Sequence, residues 1–278
     1  MVALPSAQSQ AGEAPVSWLR AIGTIGTILA LMILGASMLL RLSTIFGADG
    51  QTISTLSHAI ENATRLTHRL AASGVGILAV WAVVLWWMRR PLPSTLSKPI
   101  TWIVTATVVL SVIGPLTPGY RLAGVTIGNV VGGMVLLMAF SWLRESARIH
   151  SLARKTVQPV LRAAVFVFLA HIATGAATSA DEMHGSRALL ILHLCTALLS
   201  TMFIAGSVWG RRHEPALAPW CIAAMALMLA EIALGCALVW LGARPIWLML
   251  VHGMLSPLLA IALVSLVAGD SIESRCPH

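Results

Sequence analysis

Runs of apolar residues long enough to cross a lipid bilayer recur along this chain, and short polar stretches that gather most of its charge separate them. A hydrocarbon core about 30 Å thick is crossed by roughly 20 apolar residues of helix. On that rule the chain is predicted to form eight transmembrane helices: Trp18–Leu40, Leu66–Met88, Ile100–Pro118, Leu122–Leu143, Val160–Ala180, Ala188–Gly210, Ala216–Leu241 and Pro245–Ala268. The expected fold is an all-α membrane protein.

Polar residues inside such spans are costly, so their positions carry information. The even-numbered spans each place one near the same end: His68 in span two, Asn129 in span four, His193 in span six and His252 in span eight. From His68 to Asn129 is 61 residues and from His193 to His252 is 59. The chain therefore reads as two pseudo-symmetric four-helix bundles, a first half 18–143 and a second half 160–268. A polar tail (1–17), a basic linker (144–159) and a C-terminal tail (269–278) complete it. Odd-numbered spans echo one another through a glycine. Span five has His171-Ile-Ala-Thr-Gly175 and span seven has Glu231-Ile-Ala-Leu-Gly235, whereas spans one and three keep Gly35 and Gly114 without the polar residue four positions earlier. Glycine lets helix backbones approach closely, or admits a flat ligand.

Composition agrees, with 58% hydrophobic residues, 10% charged residues and a mean hydropathy of +0.86. The formal charge of +8 does not point to nucleic acid, because the basic residues sit in loops on one side: Arg89, Arg90 and Lys98; Arg144, Arg148, Arg154 and Lys155; Arg211 and Arg212. Lys and Arg mark the cytoplasmic side, which places both termini inside. Asp49, Glu61, Asp181 and Glu182 fall on the other side. The first residues form neither a signal peptide nor a presequence, so a bacterial plasma membrane is expected, with the lipid bilayer as the immediate partner. Cys195, Cys221 and Cys236 lie within spans and Cys276 near the end, and they read as small apolar fillers.

Two imidazoles at equal depth on facing helices of one bundle can ligate a single iron from opposite sides. His193 and His252 fit that description, flanked by small and apolar residues such as Leu194, Ala197 and Gly253. A zinc site would need third and fourth ligands at short spacing. In the first half, His58, Glu61, Arg65 and His68 share one helical stripe. Arg65 and Arg69 could pair with the carboxylates of a porphyrin, since a guanidinium binds carboxylate bidentately, or the stripe is a solvated lead-in to the span. Asn129 is a poor iron ligand, so this half holds a five-coordinate haem, a loosely bound substrate haem, or none. His171 and Glu231, at matched positions, are expected to line one cavity in the second half, in contact with each other or in separate structural hydrogen bonds. His150, His184, His213 and His278 read as solvated.

With these residues in place, the chain resembles the haem A synthase family, eight-helix membrane enzymes that mature haem for cytochrome oxidase. Thr67-His68-Arg69-Leu70 is similar to the family's first His-Arg motif. Ile191-Leu192-His193-Leu194 and Leu250-Val251-His252-Gly253 resemble its third and fourth histidine sites, and the Gly35 to Ser43 segment is similar to the exit from its first helix. The resemblance implies a haem b held by His193 and His252. It further implies haem O bound as substrate at His68 and oxidised from ring methyl to formyl, with a haem O-supplying enzyme and the cytochrome oxidase assembly machinery as partners. Two positions depart from the pattern. Arg65 stands where the family carries a catalytic glutamate, leaving Glu61, about 10 Å along the helix axis from His68, as the substitute carboxylate, and Asn129 stands in place of the second histidine. The alternative is a non-catalytic haem b carrier or cytochrome oxidase assembly protein of the same fold.

Overall fold

The computed structural model describes residues 7–42, 44–46, 52–54, 57–88, 93–116, 122–149, 157–178, 186–241 and 246–271. Eight helices dominate: α1 Ala7–Leu42, α2 His58–Met88, α3 Ser94–Ile113, α4 Ala123–Arg148, α5 Pro159–Thr178, α6 Arg187–Trp209, α7 Ala218–Leu241 and α8 Ile246–Asp270. Each is long and apolar enough to cross a membrane, so the chain is a multi-pass membrane protein. The shortest, α3 and α5, have 20 residues each, which at 1.5 Å per residue reaches about 30 Å, the thickness to be crossed. Local chemistry sets several ends. Pro159 opens α5, where its missing N–H costs nothing, and the Ser186 hydroxyl caps α6 by accepting from the Leu189 N–H. Pro257 lies inside α8, where it removes one backbone hydrogen bond.

The helices are longer than the apolar runs at several ends. Helix α1 begins at Ala7, within the expected polar tail. Helix α4 carries Arg144 and Arg148 in its last turns, so the linker begins inside a helix, and α8 runs to Asp270 rather than stopping before a tail. These turns need not be apolar because their charges find partners. Glu145 accepts from both Arg144 (2.8 Å) and Arg148 (2.9 Å). Between α1 and α2 two short strands, β1 Thr44–Phe46 and β2 Thr52–Ser54, pair antiparallel, which departs from a purely helical expectation. Asp49, Arg89, Arg90, His150, Arg154, Lys155, Asp181, Glu182, His184, Cys276 and His278 lie outside the described residues.

In the first set of helices, α1 packs against both α2 and α4, and α3 against α4 and α2. In the second set, α5 packs against α6 and α7 against α8, while α6 meets α7 and α5 meets α8 only sparsely. Helices α1 and α4 share the most extensive seam, which closes the first set, and both touch the second set, α4 through α5 and α8 and α1 through α8. Glycine makes the seam close. A Cβ at Gly23 would lie 2.5 Å from the Arg144 backbone nitrogen, and one at Gly26 would overlap the Phe140 ring. Beside them the buried Thr27 and Ser141 hydroxyls meet at 3.3 Å. Among lipid tails as apolar as the side chains themselves, such close packing and interhelical hydrogen bonds replace the hydrophobic driving force of water.

Candidate functional site

The second set builds a polar centre from four helices. Three residues of α5, His171, Thr174 and Gly175, stand at i, i+3 and i+4 and so share one face of that helix. Against this face lies His193 of α6. Its ring stacks on His171, with centroids 4.4 Å apart and planes 8° from parallel. Its Nδ1 is 3.2 Å from the Thr174 hydroxyl. A Cβ at Gly175 would come within 2.9 Å of the His193 Cε1, so only glycine leaves room for the ring where it is. The Thr174 hydroxyl also lies 2.8 Å from the His171 carbonyl and 2.9 Å from the Thr196 hydroxyl, whose other neighbour is the His193 carbonyl.

Helices α7 and α8 repeat the arrangement with different side chains. Gly235 sits beside His252, where a Cβ would be 3.5 Å from Cε1, an ordinary contact. Glu231, four residues before that glycine, is buried. Of the two alternatives for Glu231 and His171, separate contacts are found: Glu231 accepts a hydrogen bond from Ser256 of α8, one turn beyond His252, while His171 stacks on His193. The position corresponding to Thr174 is Leu234, which has no hydroxyl to offer. His252 Nδ1, Glu231 Oε2 and His171 Nδ1 are buried without a hydrogen-bond partner among the described residues. His252 also lies within electrostatic range of both His171 and His193. The structure therefore brings His171, His193 and His252 together around one centre, with Glu231 at its margin. Among the described residues no three His, Cys, Asp or Glu side chains form a cage for a bare metal ion.

The donor chemistry suits a porphyrin iron better than a caged ion. Two imidazoles approach from different helices, each seated beside a glycine of the neighbouring helix.

The first set differs. His68 is half-buried on α2, and Arg69 is exposed. Arg65 donates to Glu61 through both Nε (3.1 Å) and Nη2 (2.6 Å), each time to Oε1. The arginine expected to pair with a ligand carboxylate is thus already paired with the carboxylate expected to do chemistry. His58 is exposed and Asn129 is half-buried in α4. Gly35, the counterpart of Gly175 in the sequence echo, faces Met254 of α8 rather than a histidine. On α4, Gly132 packs on Leu110 of α3.

At the end of the bundle where the chain begins and ends, the structure shows a centre that sequence reasoning missed. Arg211, placed among the loop charges, is 1% exposed and pairs at 3.0 Å with Asp270, which is fully buried. Arg211 Nη1 also donates to the Ser207 carbonyl, and the Asp270 Oδ2 accepts from the Gln158 backbone N–H. One ion pair thereby ties the end of α6 to the end of α8 and the start of α5.

No protein-family model matches this chain, and no curated protein matches it.

Proposed function

We propose that this chain is a haem oxidoreductase of the haem A synthase type, in a bacterial plasma membrane with both termini cytoplasmic. On this reading the two sets of helices are pseudo-symmetric halves. His193 and His252 hold haem b in the second, and His68 receives haem O in the first for oxidation of a ring methyl group. The observation that carries the proposal is the pair of imidazoles on α6 and α8, each seated beside a glycine of the preceding helix. Haem b bound by two imidazoles supplies a one-electron relay. The residues of the chain do the rest. The α5 face orients His193, the Glu231–Ser256 hydrogen bond joins α7 to α8 one turn from His252, and the surrounding apolar helices exclude water. In the first half, His68 offers an imidazole to the substrate iron, and Glu61 keeps Oε2 clear of Arg65 for a proton.

A second reading, a haem b carrier or assembly partner of cytochrome oxidase, is favoured by two observations: Arg65 is paired with Glu61, and position 129 is an asparagine rather than a histidine. The deciding experiment is an optical spectrum with extracted-haem analysis of the purified protein from a host supplied with haem O. A low-spin b-type spectrum with haem A or its alcohol precursor supports the enzyme. Haem b with unchanged haem O, in the presence of a working electron acceptor, supports the carrier. Loss of the low-spin spectrum in both His193→Ala and His252→Ala is expected, and its full retention in both would overturn the ligand assignment.

A further inference from the structure

The α5 face does more than make room for His193. Thr174 carries a single hydroxyl proton, and its shortest contact is the His171 carbonyl at 2.8 Å, ahead of Thr196 Oγ1 at 2.9 Å and His193 Nδ1 at 3.2 Å. With the proton on that carbonyl, the Thr174 oxygen can only accept from the other two. On that assignment Nδ1 carries the proton of the neutral ring, which leaves the lone pair on Nε2. Stacking on His171 fixes the plane of the ring, and the missing Cβ of Gly175 fixes how near it lies. We infer that His171, Thr174 and Gly175 form a cradle that holds His193 in one orientation and one tautomer, with Nε2 presented as the ligating nitrogen and Thr174 as the positioning residue. The iron-ligating part of this inference rests on the haem reading above; the tautomer part does not.

The contrast with α7 sharpens the point. Its segment Glu231-Ile-Ala-Leu-Gly235 keeps the glycine seat but replaces the hydroxyl by Leu234, and the His252 Nδ1 is the ring nitrogen left unpartnered. One imidazole of the pair is thus positioned by a hydroxyl and the other is not. Outer-shell hydrogen bonds of this kind orient a ligand and raise its basicity, and their loss typically lowers metal affinity by about tenfold or more.

The test uses the full chain with ¹⁵N-labelled histidine in lipid nanodiscs, first without haem and in mildly alkaline buffer. The His193 resonances are assigned by their loss in His193→Gln. The wild-type chain is expected to show a protonated Nδ1 and a bare Nε2 at His193. Thr174→Val should yield a mixture of tautomers or the reverse one, and Thr174→Ser, which keeps the hydroxyl, should restore the wild-type pattern. A wild-type His193 protonated on Nε2, or a pattern unmoved by Thr174→Val, overturns the cradle. Haemin titration then reads the ligand. Thr174→Val should weaken binding about tenfold and Thr174→Ser should stay near wild type. Equal affinity in all three overturns the ligating role of Nε2. Failure of the wild-type chain to bind haemin at all overturns that role together with the haem reading, while the resonances still decide the tautomer.

Discussion

Helices α1 and α4 close the first set along their shared seam, where Gly23 and Gly26 admit the backbone of Arg144 and the ring of Phe140. The first and last helices of the second set, α5 and α8, meet only sparsely. That set is built of two tightly packed pairs, α5 with α6 and α7 with α8, joined by the Arg211–Asp270 pair at one end and by imidazoles, hydroxyls and a carboxylate further along. The difference teaches where each set can work. A seam closed by backbone contact leaves no space for a flat ligand between α1 and α4 themselves, whereas the two pairs of the second set, pinned at one end, can stand apart at the other.

Substitutions can test that contrast. The largest effect is expected from Asp270→Asn, which leaves the Arg211 charge buried beside a neutral partner. Losing one member of a buried pair costs about 3–5 kcal/mol, read as a lower thermal midpoint in detergent, with loss of haem from the second set. If haem binding survives unchanged, the ion pair does not hold that set together. Next is Gly26→Ala, which drives a methyl group into Phe140. Overpacking of this kind costs about 1–3 kcal/mol, and the loss should appear in thermal unfolding while haem affinity per folded molecule stays constant. Gly175→Ala should do the reverse. It displaces His193 and lowers haem affinity about tenfold with little change in melting, whereas Gly235→Ala, whose Cβ meets His252 at an ordinary 3.5 Å, should leave affinity near wild type. The smallest effect belongs to Gly76→Ala on α2, where nothing lies within 4 Å of the added carbon. Alanine should stabilise the helix there by about 0.5–1 kcal/mol.

Much of the architecture was legible because a bilayer imposes a length on every helix that crosses it, and eight apolar runs of that length stand plainly in the chain. The helix ends were less so. Arg144, Arg148 and Asp270 look like loop charges until Glu145 and Arg211 are seen beside them, and Arg211 and Asp270 are too far apart in sequence for any helical spacing to link them. The paired strands Thr44–Phe46 and Thr52–Ser54 offer only three residues each, too few for alternation to announce them. At the site, the shared His171–Gly175 and Glu231–Gly235 spacing was visible, but which ring each glycine seats depends on the neighbouring helix. Thr174 went unnoticed because threonines in membrane helices commonly bond the preceding turn of their own backbone. Here the hydroxyl does that and also meets a ring on another helix. Ser256 was equally silent, since nothing in α8 alone marks it as the partner of Glu231.

Only 11% and 17% of the residues in the most apolar stretches of α6 and α7 are buried, against 50% for α8. In a bilayer, the outer faces of α6 and α7 would therefore meet acyl chains, with one helix between them and His193. On the haem reading, traffic toward the imidazoles becomes a problem in two dimensions. A greasy porphyrin dissolved in the bilayer would arrive by lateral diffusion and partitioning, and the solvent setting its concentration at the site would be hydrocarbon rather than water.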